Sequence, residues 1–225
     1  MSKNKLFRFA EMKEMDHVFE PPLDRIKNGT INYKGNWNQN VFKNDNPIIL
    51  ELGCGKGEYA VGLAKKYPNK NFVGVDIKGA RMWVGAKQCL EEGIKNVVFL
   101  RTKVDFINKL FGKNEVSEIW LTFSDPQPNK PNKRLTSKIF VDRYREILKP
   151  DGIIHLKTDS DILFESTEIE IKENKYNCTF FSWDLYGEIE NLPESIKDIL
   201  HIKTHYEELF TARGHQIKYC QFQIN

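Results

Sequence analysis

The residues able to do chemistry in this 225-residue chain cluster where short apolar runs end. The first run, IILELG at 48–53, passes into Glu51-Leu52-Gly53-Cys54-Gly55-Lys56-Gly57-Glu58, a G-x-G-x-G spacing. Glycines let the backbone turn tightly and let a ligand approach where a Cβ would otherwise stand. A dinucleotide fingerprint, G-x-G-x-x-G, needs glycine at its sixth position. Here that position is Glu58, whose carboxylate would repel a pyrophosphate, and Glu51 adds negative charge just upstream. The loop therefore suits a cationic ligand. S-adenosylmethionine, with its sulfonium and ammonium, is such a ligand; an ordinary glycine-rich strand–helix turn is the plainer alternative.

The second run, FVGVD, ends in Asp76. A carboxylate there can accept hydrogen bonds from both ribose hydroxyls of an adenosine. With Gly53, Gly55 and Gly57 it supports an adenosine site, without separating methyl transfer from hydride transfer. The fourth run opens the segment Phe123-Ser124-Asp125-Pro126-Gln127-Pro128-Asn129-Lys130-Pro131-Asn132-Lys133-Arg134. Its prolines stiffen the loop and remove N–H donors. Asp125 at a reacting centre, with Lys130, Lys133 and Arg134 beside it, suits a nucleic acid whose base meets the carboxylate and whose phosphates meet the cations. A structural proline turn with solvated lysines is the alternative. Asp159 closes HLKTD on the same rim, either as an acceptor for a base or ribose or as the cap of a helix starting near 161. Thr204-His205-Tyr206-Glu207 reads as a capping-box helix start whose hydroxyl, ring and carboxylate can together hold a purine.

These residues need a scaffold that brings strand ends together. Strands and helices alternate through residues 47–175, which predicts a mostly parallel sheet with helices on both faces. NCTFFSWDL (177–185) and QIKYCQFQI (216–224) alternate more strictly and add an antiparallel edge, for seven strands in an α/β architecture. Such sheets bind ligands at the carboxyl ends of their strands. Residues 1–46, rich in Lys, Asn, Glu and Pro, are expected to form an extension wrapped on the surface or ordered by a partner. Residues 47–225 are expected to form the main domain. Lys3, Lys5, Arg8 and Lys13 of the extension can meet phosphates, and Phe7 and Phe9 can stack on bases or pack on the domain.

A hydrophobic content of 40% excludes global disorder, and a net charge of +3 confines any basic footprint to a local patch. Cys54, Cys89, Cys178 and Cys220 lie far apart with no C-x-x-C pair, so neither a disulfide framework nor a metal site is expected. No apolar run approaches the roughly 18 residues of a membrane span. The start lacks the apolar stretch of a secretory signal, so a cytoplasmic location without membrane attachment is expected.

The chain resembles the bacterial tRNA (guanine-N7-)-methyltransferases of the TrmB type from about residue 47 to its end. The resemblance rests on ELGCGKGEY (51–59), FVGVDIKGAR (72–81), FSDPQPNKPNKRL (123–135), HLKTD (155–159) and THYE (204–207), in the family's order. It implies the Rossmann-like methyltransferase fold and methylation of N7 of guanosine 46 in the tRNA variable loop, with S-adenosylmethionine as donor. It implies cofactor binding by Glu51, Gly53, Gly55, Asp76 and Asp125, with Asp125 also catalytic. It implies substrate binding by Lys130, Asp159, Thr204, His205, Tyr206 and Glu207. The family's loop usually reads D-P-W-P-K; here Gln127 replaces the aromatic and Asn129 the lysine, leaving Lys130 as the nearest cation. Lys103 stands where an acidic or amide cofactor contact is common, so no side-chain role is expected there. A small-molecule methyltransferase, a non-catalytic RNA-binding protein and a nicotinamide oxidoreductase are the competing readings. Monomer and homodimer are both open.

Overall fold

The computed structural model describes residues 3–225, with the side chains of Lys3 and Ser195 excepted. One sheet organises them. Its parallel strands are β1 (Val18–Phe19), β2 (Ile48–Leu52), β3 (Asn71–Asp76), β4 (Val97–Arg101), β5 (Val116–Thr122) and β6 (Leu148–Thr158). Strands β7 (Asn177–Ser182) and β8 (Lys218–Gln223) complete it, with β8 running antiparallel to both β6 and β7. The order β1-β4-β3-β2-β5-β6-β8-β7 steps outward in both directions from the β2/β5 pair. That pair is the switch point, where the connecting helices leave on opposite faces and a crevice opens beyond the strand ends.

Alternation along each strand feeds two cores. Leu50, Val73, Leu100 and Leu121 face α5 (Ile107–Leu110), α6 (Lys138–Arg145) and α7 (Asp161–Glu173). Ile49, Phe72, Phe99 and Trp120 face α3 (Glu58–Lys66) and α4 (Gly79–Glu92). Burial on both sides explains why these strands are mostly apolar, with few alternating polar positions. Gly93 ends α4 in the left-handed conformation (φ 68°), as a C-terminal glycine should. The Lys149-Pro150-Asp151-Gly152 segment, which reads as a turn, lies instead within β6. There the register jumps from Val116↔Leu148 to Glu118↔Ile153, so the extra residues bulge out of the ladder.

The sheet has eight strands, not seven. The additional strand, β1, comes from the N-terminal segment and pairs with β4, Val18 opposite Phe99. Two residues are too few to show a period, and Pro21-Pro22 follow after Glu20. The same segment supplies α1 (Lys3–Lys13), α2 (Leu23–Asn28) and a π turn over Asn38–Phe42. Trp37 is fully buried, stacks on Phe111 at 4.8 Å and donates its Nε1–H to Leu110 O. The Glu115 carboxylate accepts backbone N–H bonds from Gly35, Trp37 and Gly112. Helix α1 lies on α4, where Glu11 accepts from Trp83 Nε1 (2.7 Å) and Lys87 Nζ (2.9 Å). Arg8 stacks over Trp83 and donates to Ala80 O, and Phe9 sits under the Arg101 guanidinium. Phe7 is left exposed. Between β7 and β8 the chain forms α8 (Leu185–Glu188), α9 (Glu194–Leu200) and α10 (His205–Ala212). Among the described residues no helix is long and apolar enough to cross a membrane.

Candidate active site

A cavity of about 660 Å³ opens at the carboxyl ends of β2, β3, β4 and β5, within the usual size of small-molecule sites. Its floor is the glycine loop. Gly53, Gly55 and Gly57 all have positive φ (81°, 56° and 75°), but they serve different ends. A Cβ on Gly55 would meet no protein atom within 4 Å, so this backbone is bared to the cavity. A Cβ on Gly57 would come within 2.4 Å of the Phe99 ring, so that glycine serves packing.

Glu51 lies beneath the loop, 3% exposed. Its Oε2 accepts from Ala60 N (2.9 Å) and its Oε1 from Thr122 Oγ1 (2.7 Å). Burial pushes its pKa up to about 7, against the pull of those two hydrogen bonds. Asp76 accepts from Gly55 N through Oδ2 (2.9 Å) and from Lys78 N through Oδ1 (2.7 Å). Those bonds fix the carboxylate at the cavity wall with acceptor capacity remaining.

Asp125 stands on the opposite lip, exposed and lining the cavity. Its Oδ1 accepts from Gln127 N (3.0 Å). Phe123 and Gln127, on either side of it, both have left-handed backbones (φ 49° and 46°). Each such residue costs on the order of 1–2 kcal/mol, so the loop is held in a shape the chain does not prefer. Arg134 explains part of the hold: 8% exposed, it donates Nε–H to Pro126 O (3.0 Å). Arg134 is thus a strut rather than a phosphate ligand. Lys133 pairs with Asp105 (3.3 Å). Lys130 is exposed and has no ion pair among the described residues, which leaves it as the available cation of the three. The Ser124 hydroxyl, buried beside Asp125, has no hydrogen-bond partner among the described residues.

Asp159 lines the cavity beyond β6, and burial raises its pKa. It does not cap α7; Ser160 does, accepting from Leu163 N. Lys218 secures the Asp159 carbonyl at 2.8 Å. Thr204 and Tyr206 line the cavity, and Thr204 Oγ1 caps α10 by accepting from Glu207 N (3.2 Å). The remaining two residues of that segment differ from expectation. His205 is exposed, and its backbone N–H donates to Glu58 Oε2 (3.0 Å). Glu207 does not reach back to complete a capping box, nor does it face the cavity. It is fully buried against Lys157 and the Tyr186 hydroxyl.

The structure thus brings Glu51, Gly53, Gly55, Asp76, Asp125, Lys130, Asp159, Thr204 and Tyr206 around one cavity, and leaves out His205 and Glu207. It adds residues not singled out in the sequence. Thr122 holds Glu51; Phe123 and Phe210 stack at 6.4 Å; Arg81 lies 5.9 Å over the Tyr206 ring. Phe123 and Thr122 sit at a recognisable strand end, but nothing local signals which contacts they make. Lys103 lines the cavity too. Carboxylates low in the cleft and cations on its lip suit an adenosine carrying positive charge below and a polyanion above.

A sequence model of a family described as putative methyltransferases matches residues 45–220. The chain is 53% identical over 224 residues to a Bacteroides thetaiotaomicron protein named tRNA (guanine-N(7)-)-methyltransferase, covering 100% of this chain and 87% of the relative. It is 46% identical over 225 residues to the Christiangramia forsetii protein of the same name, covering 99% of each. Among solved structures, the 16S rRNA methyltransferase KamB superposes with a TM-score of 0.60 at 10% identity, over 83% of this chain and 92% of that one. At that identity the likeness speaks to the fold alone.

Proposed function

The chain belongs to the tRNA (guanine-N(7)-)-methyltransferase family, and from that premise we propose that it methylates N7 of guanosine 46 in the variable loop of tRNA, with S-adenosylmethionine as donor. The observation that carries this reading is one cavity walled on one side by Asp76 and the bared Gly55 backbone, and on the other by Asp125 on a strutted cationic loop.

The residues present fit the donor. Asp76 has lone pairs left for the ribose hydroxyls, and the space above Gly55 takes a ligand where a side chain would stand. Glu51 and Glu58 give the floor the negative charge that an ammonium and a sulfonium need. When bound, S-adenosylmethionine supplies an electrophilic methyl group on sulfur. Guanine N7 carries an in-plane lone pair and no proton, so no general base is required of the protein. What remains is alignment, which can contribute several kcal/mol toward the barrier, and accommodation of the positive charge that the purine acquires. Asp125 serves the second need as a fixed carboxylate at the lip, accepting from the guanine edge and offsetting the cation. Lys130 meets the RNA backbone, and Asp159 and Thr204 offer further acceptors to the base or ribose.

Incubating unmodified tRNA with methyl-labelled donor, then identifying the labelled nucleoside and its position, tests the proposal. 7-Methylguanosine at position 46 is expected. Label at another atom or position, or none, would overturn it.

A further inference from the structure

Lys157 and Glu207 form an ion pair at 2.8 Å in which neither side chain has any exposed area. Such a pair is costly to bury and often stabilises a fold no better than packed apolar side chains would. Its placement points to another use. Lys157 Nζ also donates to Leu200 O (2.7 Å) at the end of α9, and the Tyr186 hydroxyl donates to Glu207. Four segments therefore meet at one buried charge pair: β6, α8, the end of α9, and α10. Of the residues of α10, only Glu207 is buried. An ordinary surface helix is seated by an apolar stripe; this one is seated by a carboxylate.

What α10 presents to the cavity follows from that seat. Tyr206 precedes Glu207, and Phe210 follows it by about one turn. The Tyr206 and Phe210 rings stack at 6.2 Å and 20°, and Phe210 and Phe123 at 6.4 Å and 27°. All three line the cavity, and Phe123 lies two residues before Asp125. The rings make a wall running from α10 to the acidic lip.

We propose, resting on the tRNA methylation reading above, that Phe210 stacks on the substrate purine and that Glu207 is a positioning residue acting through it, the Lys157–Glu207 pair setting where the aromatic wall stands. Glu207 on this account never touches RNA.

The test compares wild type with F210A, E207Q, Y186F and the double variant E207Q/F210A. The readouts are tRNA KM and kcat, S-adenosylhomocysteine affinity by calorimetry, and amide hydrogen exchange across residues 204–213. F210A is expected to raise tRNA KM about tenfold, the scale of one lost stacking contact, with cofactor affinity kept within about twofold. E207Q should raise KM similarly, speed exchange in α10 and leave cofactor affinity intact. Y186F should do the same more weakly. The double variant should be no worse than F210A alone, since residues that act through one another are not additive. Additive effects, or a fall in kcat at constant KM in E207Q, would overturn the assignment. If E207Q does not fold, unchanged KM in both F210A and Y186F would overturn it. A wild-type protein that leaves tRNA unmethylated would sink the functional reading instead, and the exchange data would still judge the anchoring of α10.

Discussion

Glu51 and Thr122 are hydrogen-bonded at 2.7 Å across the β2/β5 switch point, directly under the cavity. The bond joins the two strands whose loops form opposite walls of the site. It also helps hold a carboxylate that burial drives up to about 7. In the free protein Glu51 binds a proton more tightly than in the unfolded chain, where its pKa is the usual 4.5. The resulting stability is fully present below about pH 4.5 and is lost as pH rises through about 7.

A cationic ligand favours the ionised form. Donor affinity should therefore rise as pH is raised through about 7 and then level off. E51Q should flatten this profile and weaken binding at pH 8 by about tenfold, about 1.4 kcal/mol. Calorimetric titrations of S-adenosylmethionine at several pH values check both.

D125N keeps the loop's shape, because an Asn oxygen can still accept from Gln127 N. It removes the negative charge that faces the purine. We expect kcat at saturating donor to fall on the order of a hundredfold, as for other electrostatic groups at reacting centres, a loss beyond whatever Asp125 contributes to S-adenosylhomocysteine affinity. Single-turnover kinetics and calorimetry separate the two quantities. An unaltered kcat would remove Asp125 from the chemistry.

Two of the loop cations, Lys130 and Arg134, should behave differently in salt titrations of tRNA binding. K130A removes the available charge, so the slope of log affinity against log salt should shrink by roughly one contact. R134A removes the strut on Pro126 O and loosens the lip; it should lower kcat as well as affinity. Equal effects of the two variants would contradict the division of labour.

W37A opens a void between the N-terminal segment and Phe111 and deletes the bond to Leu110 O. Loss of a buried aromatic costs about 3–5 kcal/mol. Denaturant unfolding should report that loss, and removal of residues 1–46 should be more damaging still. A truncated chain as stable as the whole would show the segment to be an accessory.

The parallel strands were legible because burial on both faces leaves nearly continuous apolar runs, as in Ile48–Leu50 and Val97–Leu100. The acids at their ends were legible because topology forces strand ends together. The embedding of residues 3–46 was not, since its anchors are separate contacts: a lone Trp37, a two-residue strand, and backbone amides gathered by the distant Glu115. Nor does the sequence distinguish Arg134 from Lys130, because whether a cation is a strut or a free charge depends on where Pro126 O lies. Glu207 looked outward in a capping-box pattern. It turns inward because Lys157, on a strand far upstream, needs a counter-charge.

The pairing of Val18 with Phe99 also sets an order of events. During synthesis the N-terminal strand leaves the ribosome long before its partner exists, so it must wait, unpaired, until β4 has emerged. Once docked, it makes the border of the sheet a two-residue strand, too short to template pairing with a neighbouring molecule. The arm that is made before its partner is thus fastened late, and it leaves one border of the sheet blunted.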